Sequence, residues 1–341
     1  MSTRIFTVIL VLALTVGSAA AQTAYRPPRL PDGKPDLQGV WDFRTLTPLE
    51  RPENVAGKAR LTTEEAAELE AKAAARSAAD DAPTVRTSPL PVGGNVGAYN
   101  NFWVDRGAKV VDDQRTSLIV DPPDGRLPAL RPGVERQVGS VSEDLPGRRP
   151  VRLRAAGIGT DSYEDRGLAE RCLLGFNSGP PIAPAGYNQN IQIFQTASHV
   201  AILNEMVHDA RIVPLDGRAH LRPTIRQWMG DSRGHCEGDT LVVETTNFTD
   251  KTASFNASIS IAIGTGVTLR LIERFRRVAD DTLIYEYTVD DAKTFTRPFT
   301  VQLPMKRGDT LYEYACHEGN HGLLNMLRGA RAADRARPSS R

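Results

Sequence analysis

The sequence has no dominant charge sign. Lysine and arginine together number 42, aspartate and glutamate number 41, and the formal net charge at pH 7 is +1. This balance provides no global electrostatic attraction to nucleic acid, so we expect no nucleic-acid partner. The arginine-rich end at residues 328–341 is interpreted as a solvated helix end and tail.

The one long apolar run lies at the N-terminus. It extends from Ile5 to Val16, after Met-Ser-Thr-Arg and before GSAAAQ, which is the order of regions in a signal peptide. The run is too short to span a bilayer, and no cysteine directly follows it to carry a lipid anchor. We therefore predict a signal peptide at residues 1–21. The protein is expected to be exported, periplasmic or extracellular, without stable membrane insertion.

Cysteine is scarce, with three residues in the chain. In an oxidising compartment, three cysteines allow one disulfide and leave one thiol over. Cys236 lies in RGHCEGD, which is typical of a polar turn. We therefore predict that Cys172 pairs with Cys316.

Residues 22–97 are predicted to form an N-terminal extended segment with one strand, a surface helix and a linker. Proline and charge dominate its start, where LQGVWDF is the one apolar island. The helix is predicted over residues 62–79, because Thr62 and Glu65 match a capping box and alanine is abundant. Residues 82–97 have the composition of a flexible linker.

Residues 98–341 are predicted to form a mainly β domain with long loops and a C-terminal helix over HGLLNMLRGARAADR. Eight short segments rich in β-branched and aromatic residues are separated by glycine, aspartate, asparagine or proline. With short connections such as SRGHCEGD, they indicate an antiparallel meander that closes into a barrel or folds into a sandwich. The segments are IQIFQT, HVAILNE, ARIVPL, DTLVVETTNF, GVTLRLIERFRRV, DTLIYEYTVD, RPFTVQLPM and TLYEYAC.

Two resemblances bear on this fold. Gly39-Val40-Trp41 is similar to the Gly-x-Trp of the first lipocalin strand, and a meander followed by a C-terminal helix resembles the wider calycin group. That resemblance implies a barrel with an internal ligand cavity. The chain also resembles a group of exported bacterial proteins that share PDLQGVW, RTSLIVDPPDGR, GFNSGPP, HDARIVPLDGR, RQWMGDSRG, EGDTLVVETTNF and YEYACHEGN. This second resemblance implies export but no particular activity.

The sequence HEGNH, from His317 to His321, matches the H-E-x-x-H pattern of zinc hydrolases. That chemistry needs one helix through both histidines. Here the preceding LYEY is typical of a strand, and Gly319-Asn320 is typical of a turn. We expect no metal site, and keep His317 and Glu318 as candidate acid and base at a strand end.

A second titratable group is His208-Asp209 with Arg211. A carboxylate can fix an imidazole tautomer, and an arginine supplies a forked donor, so the three could serve acid–base chemistry or bind an anion. A salt-bridged turn is the competing interpretation. A serine hydrolase is disfavoured because the sequence has no G-x-S-x-G motif.

Aromatic residues supply the candidate ligand contacts, namely Trp41, Trp228 beside Arg226, and the two tyrosines of IYEY, Tyr285 and Tyr287. We favour the tyrosines facing inward, because buried aromatic rings fill much of a small barrel. If they faced solvent, Glu286, Glu313 and Glu273 would face the interior instead.

Three functions follow, in order of preference. The first is an exported barrel that binds a small apolar or aromatic ligand. The second is a metal-independent lyase, isomerase or hydrolase. It would use a cluster at the barrel mouth formed by His208, Asp209, Arg211, His317 and Glu318. The third is a zinc hydrolase acting through HEGNH. No cofactor is expected, the partner is a small molecule, and the oligomeric state is left open.

Overall fold

The computed structural model describes residues 25–80, 104–138 and 160–336. The predicted signal peptide and the predicted linker at residues 82–97 lie outside these ranges. Within them, one antiparallel sheet of ten strands curves into a nearly closed barrel. The predicted mainly β class is confirmed. Of the two predicted forms, barrel and sandwich, the structure shows the barrel.

The elements are taken in chain order. The strands are β1 (Gly39–Asp42), β2 (Ile119–Asp121), β3 (Arg136–Val138), β4 (Asn190–Gln195), β5 (His199–Asn204), β6 (Ala210–Pro214), β7 (Asp231–Glu237), β8 (Thr240–Thr246), β9 (Phe255–Ser258), β10 (Ile261–Ile263), β11 (Arg270–Ala279), β12 (Thr282–Asp290) and β13 (Phe299–Arg307). The helices are α1 (Thr63–Asp80) and α2 (His321–Ala336).

The barrel strands follow the order β6-β5-β4-β1-β13-β12-β11-β8-β7, with β2 paired to β13 off this path. A separate small sheet has the order β3-β10-β9. Strand β1 belongs to the predicted N-terminal segment, yet it lies between β4 and β13, with Trp41 opposite Ile191 and Arg307. The N-terminal segment is therefore part of the barrel wall.

Both predicted helices are present. In α1, the Glu65 carboxylate accepts from the Thr62 backbone N–H at 2.8 Å, and Thr62 Oγ1 accepts from the Glu65 backbone N–H at 3.2 Å, which confirms the capping box. Helix α2 buries no residue. It is hydrogen-bonded to the segment that precedes β4, since Arg331 donates to the carbonyl of Thr160 at 2.8 Å.

Alternation places the core inside the barrel. Along β12, Leu283, Tyr285, Tyr287 and Val289 are buried, and the residues between them are partly exposed. This period of two is expected for a strand with one solvated face. Both tyrosines of IYEY therefore face inward, as predicted. Their rings lie 5.5 Å apart between centroids, and such buried aromatic contacts contribute strongly to stability.

Two predicted segments are wrong. SRGHCEGD is not a connection, because residues from Asp231 onward form β7 and pair along their length with β8. TLYEYAC is not a strand. The preceding β13 already has β1 and β12 as neighbours, so the chain leaves the sheet there, with Tyr312 72% exposed and Cys316 bonded to Cys172.

The start of β1 is packed against arginine. Trp41 is fully buried, its Nε1–H donates to the carbonyl of Leu37 at 2.9 Å, and the Arg307 guanidinium lies 5.2 Å from its ring centroid. Gly39 has φ +132°, and a Cβ at this position would lie 2.5 Å from Nη1 of Arg307. The positive φ therefore favours glycine at this position, and any larger residue would have to displace the Arg307 guanidinium.

Gly39→Ala is expected to lower the free energy of unfolding by about 1–3 kcal/mol, because it strains the backbone and displaces Arg307 from Trp41. The measurement is urea denaturation followed by far-ultraviolet circular dichroism. Gly33→Ala is the matched control, since Gly33 also has positive φ but a Cβ at that position would have no atom within 4 Å. Equal losses in the two variants would contradict a role for the Arg307 contact.

Candidate functional site

An apolar cavity of about 230 Å³ lies at one end of the barrel. Its wall combines barrel side chains with two loop segments, at residues 45–49 and 179–185, and with residues 252–259, which include β9. The barrel contributes Tyr287, Val301 and Leu303. A concave, mostly apolar site with a few polar groups is the usual form of a small-molecule site.

Residues 168–185 cover the cavity, and we call them the roof loop. Leu168, Leu174, Phe176 and residues 179–185 of this loop line the cavity. The loop contains the GFNSGPP stretch, whose glycines and prolines favour turns over strand or helix. Its position is therefore set by tertiary contacts rather than by regular secondary structure.

The contacts that hold the roof loop include a disulfide and two hydrogen bonds to distant parts of the chain. The Cys172–Cys316 disulfide, predicted from the sequence, joins it to the segment before α2, with the two Cα atoms 5.8 Å apart. Ser178 Oγ donates to Asp209 Oδ2 at 3.1 Å, beside the β5–β6 connection. The backbone N–H of Ile182 donates to the Tyr285 hydroxyl at 3.1 Å, which links the loop to the barrel interior.

Tyr285 belongs to a buried polar network. Its hydroxyl donates to Glu273 Oε1 at 2.8 Å, and Arg211 holds the same carboxylate with both terminal nitrogens, the Nη2–Oε1 distance being 2.9 Å. Arg211 Nη1 also lies 3.4 Å from Thr245 Oγ1, which is 2.9 Å from Ser232 Oγ. These bonds join β6, β7, β8, β11 and β12 inside the barrel.

The network lies where the barrel lacks a backbone ladder. Strands β6 and β7 are the two ends of the strand order, yet they lie side by side. Gly234 in β7 allows this approach, because a Cβ there would lie 2.8 Å from Cγ1 of Val213 in β6. Arg211, on the edge strand β6, therefore reaches past the other edge strand, β7, to Thr245 in β8 and Glu273 in β11.

Burial and the ion pair control the charges in this network. Burial disfavours the charged guanidinium of Arg211, but the Glu273 carboxylate outweighs that effect, and the pKa of Arg211 is raised. Burial, reinforced by the Glu273 charge, raises the pKa of Tyr285 well above its usual value. The phenol thus stays protonated and acts as a hydrogen-bond donor at neutral pH.

The five predicted catalytic residues occupy different places. Arg211 is buried in the barrel with Glu273, while His208 is exposed and its Nδ1 lies 3.2 Å from the carbonyl oxygen of Tyr314. Asp209 holds the roof loop. None of the five, which include His317 and Glu318, is among the described residues that line the cavity.

HEGNH does not form the zincin arrangement. Helix α2 begins at His321, and the preceding residues form a turn in which the Asn320 N–H donates to the His317 carbonyl at 3.3 Å. His317 and His321 therefore do not lie one turn apart on a common helix. In the described parts of the chain, no group of three or more histidine, cysteine, aspartate or glutamate residues could hold a metal ion.

The predicted ligand-contacting residues divide into two groups. Trp228 and Tyr287 line the cavity. Tyr285 contacts the roof loop through Ile182, Trp41 packs under Arg307, and Arg226 donates to the carbonyl of Phe248 at 2.9 Å. Two of the five predicted contacts thus reach the cavity directly.

Several site residues were missed by the sequence reasoning. Glu273 was expected inside only if the tyrosines faced out, but it shares the inward face of β11 with Leu271 and Phe275. Ser254 and Asn256, in ASFNAS, also line the cavity. The signal available for Glu273 was its alternation with two apolar neighbours; Ser254 and Asn256 belong to no motif.

A second cleft of about 240 Å³ lies between α1 and the residues around Thr47. It is more open to solvent, and charged side chains line it. All four of these are paired, Glu65 with Lys58, Glu68 with Lys72, and Arg115 with Asp113. The cleft therefore resembles a helix-packing gap more than a ligand site.

Fold and site together define an antiparallel β-barrel protein with a roofed apolar cavity at one end. Comparisons of the chain with family models, with curated proteins and with solved structures found no match. Neither helix of the described residues has the length and apolar character needed to cross a membrane.

Glu273→Leu is expected to lower the free energy of unfolding by about 3–5 kcal/mol, because it leaves the buried Arg211 charge without a partner. The double variant Arg211→Met/Glu273→Leu should recover at least half of that loss. The measurement is urea denaturation of both variants. Arg274→Met, which breaks the exposed pair with Glu237, should change stability by less than about 1 kcal/mol. A double variant no more stable than Glu273→Leu would contradict the charge argument.

Proposed function

We propose that the protein binds a small apolar or aromatic molecule in the roofed cavity. The observation that carries the proposal is the cavity itself, about 230 Å³ in volume and walled mainly by apolar side chains. Pockets for drug-sized ligands are about 300–1,000 Å³. The ligand is therefore expected to be smaller than a typical drug molecule.

The wall chemistry supports an aromatic or aliphatic ligand. Trp228, Phe176, Phe255 and Tyr287 are among the residues that line the cavity, and ring edges and faces bind apolar groups and other rings with defined geometry. Removal of apolar surface from water then supplies the affinity, at roughly 25 cal/mol per Å².

The fixed roof favours binding further. The disulfide and the hydrogen bonds to Tyr285 and Asp209 hold the roof loop before any ligand arrives. A preformed wall avoids the entropy cost of ordering a loop on binding. The acid–base residues predicted from the sequence lie away from the cavity wall, so binding ranks above catalysis as the proposed function.

Binding can be tested with 1-aminonaphthalene, whose fluorescence rises in apolar surroundings. Saturable binding is expected for the unmodified protein. Ala257→Phe adds a ring at the cavity wall and should weaken binding by at least about tenfold through overpacking. The matched control is Ala201→Phe, because Ala201 lies on the outer face of β5, opposite the exposed Phe194 and Ile212.

Control affinity should stay within about twofold of the unmodified value, since surface substitutions have small effects. Saturable binding that Ala257→Phe leaves unchanged would place the probe elsewhere and contradict the proposal.

We also infer that the protein is exported. The support is the Cys172–Cys316 disulfide, because such bonds persist in oxidising compartments and are rare in the cytosol. In a bacterial host, the full chain should appear outside the cytoplasm, with Cys172 and Cys316 protected from alkylation and Cys236 modified. A variant without residues 1–21 should stay in the cytoplasm. Retention of the full chain there, with all three thiols reduced, would contradict export.

A further inference from the structure

The opening of the cavity carries one charged residue. Among the described residues that line the cavity, Arg106 is the one that bears a formal charge. It is exposed, as are Ser258 and Ile259 of the same wall, whereas Tyr287 and Leu303 are buried. The exposed lining residues therefore mark the opening of the cavity, and the buried ones form its interior.

The charge of Arg106 is not used within the protein. In the described part of the chain, no hydrogen bond or ion pair involves the Arg106 side chain. The nearby Arg44 differs, because it is paired with Asp42 and Asp105. The Asp105 carboxylate, next to Arg106 in sequence, also accepts from the Gly107 N–H at 3.0 Å. The adjacent acid is therefore already engaged, and the guanidinium of Arg106 is available to a ligand.

The backbone beside Arg106 is fixed against the end of the roof loop. The Asp105 N–H donates at 2.6 Å to the carbonyl of Gly186, which directly follows the loop, and the Asp105 carbonyl accepts from the side chain of Gln189. The arginine side chain thus starts from a defined point at the opening. Its long apolar stem can lie along the wall while the guanidinium stays in water.

The interior of the cavity is unsuited to a charged group. The described residues that line it include no second cation. Thr252 Oγ1 donates to the carbonyl of Thr249 at 2.9 Å, and Thr47 Oγ1 accepts from the Val111 N–H at 3.0 Å, so these hydroxyls already have partners. A charge placed there would lose its hydration without a counter-ion, which is strongly unfavourable. A charged ligand group is therefore favoured only at the opening.

We propose that the cavity ligand is a small carboxylic acid, bound with its apolar body inside and its carboxylate at the opening, paired with Arg106. This proposal rests on the function proposed above and specifies its ligand class. A planar guanidinium presents parallel N–H donors that match the two oxygens of a carboxylate. One guanidinium balances one carboxylate, whereas a phosphate group carries nearly two charges at neutral pH, which favours the carboxylate.

The experiment uses three ligands with one naphthalene body and different head groups: 1-naphthoate, 1-naphthamide and 1-naphthylmethylammonium. Isothermal titration calorimetry at pH 7 and low salt gives each affinity for the unmodified protein and for Arg106→Gln. The affinity ratio of naphthoate to naphthamide should fall about fivefold in the variant, an effect at the upper end of those measured for one exposed ion pair. The ammonium ligand should bind the unmodified protein least tightly, because Arg106 repels its charge.

Arg276→Gln is the matched control. Arg276 is exposed in β11, does not line the cavity, and forms no hydrogen bond or ion pair with any described residue, so this variant loses the same charge away from the site. Its naphthoate-to-naphthamide ratio should stay within about twofold of the unmodified value. At about 1 M salt, where the Debye length is about 3 Å, the effect of Arg106→Gln should shrink. Neither variant should change Tm, since neither guanidinium has a partner to lose among the described residues.

The outcomes separate this proposal from the function beneath it. If naphthamide binds and naphthoate does not, or if their ratio is the same in Arg106→Gln as in the unmodified protein, the carboxylate site is overturned while the cavity function stands. An equal fall of the ratio in Arg276→Gln would assign the effect to overall charge and also overturn the site. If neither the three ligands nor 1-aminonaphthalene bind the unmodified protein, the proposed function fails and the carboxylate site fails with it.

Discussion

The buried Arg211–Glu273 ion pair is the interaction on which the barrel and its cavity depend. Strands β6 and β7 lie together without a backbone ladder, so side chains must close the barrel there. Arg211 does so by reaching Glu273 and Thr245, and Thr245 contacts Ser232. Desolvation makes such a pair a weak source of net stability. Its contribution is to specify one arrangement of strands, because any register that separates the two charges leaves both buried and unpaired.

The same pair also determines where the roof loop lies. Glu273 accepts the hydrogen bond from the Tyr285 hydroxyl, which leaves the phenol oxygen free to accept from the Ile182 N–H. A neutral inward phenylalanine at position 285 would fill the same space but could hold neither partner. The cavity wall is therefore connected to the barrel closure by two consecutive hydrogen bonds through the Tyr285 hydroxyl.

Alternating apolar residues were enough to predict most barrel strands and the inward tyrosines, because a half-buried strand has a period of two. Strand β6 shows the limit of that rule. Hydrophobicity favours Ile212 inside, yet Ile212 is 57% exposed and Arg211 is buried, since Arg211 has a carboxylate partner supplied from β11. Strand β7 escaped prediction for a related reason: its inward residues are Ser232 and Gly234, which serve a polar contact and a close approach rather than apolar burial.

The residues that looked most chemical in the sequence have mainly structural contacts. Asp209 contacts the roof loop, and residues 317–320 of HEGNH form the turn before α2, which begins at His321. Titratable residues adjacent in sequence are easy to notice, but a cavity wall is assembled from segments far apart in the chain. Ser254 and Asn256 are examples, because only the fold brings them to the cavity wall. A cavity of this kind follows from tertiary packing and cannot be recognised from local spacing.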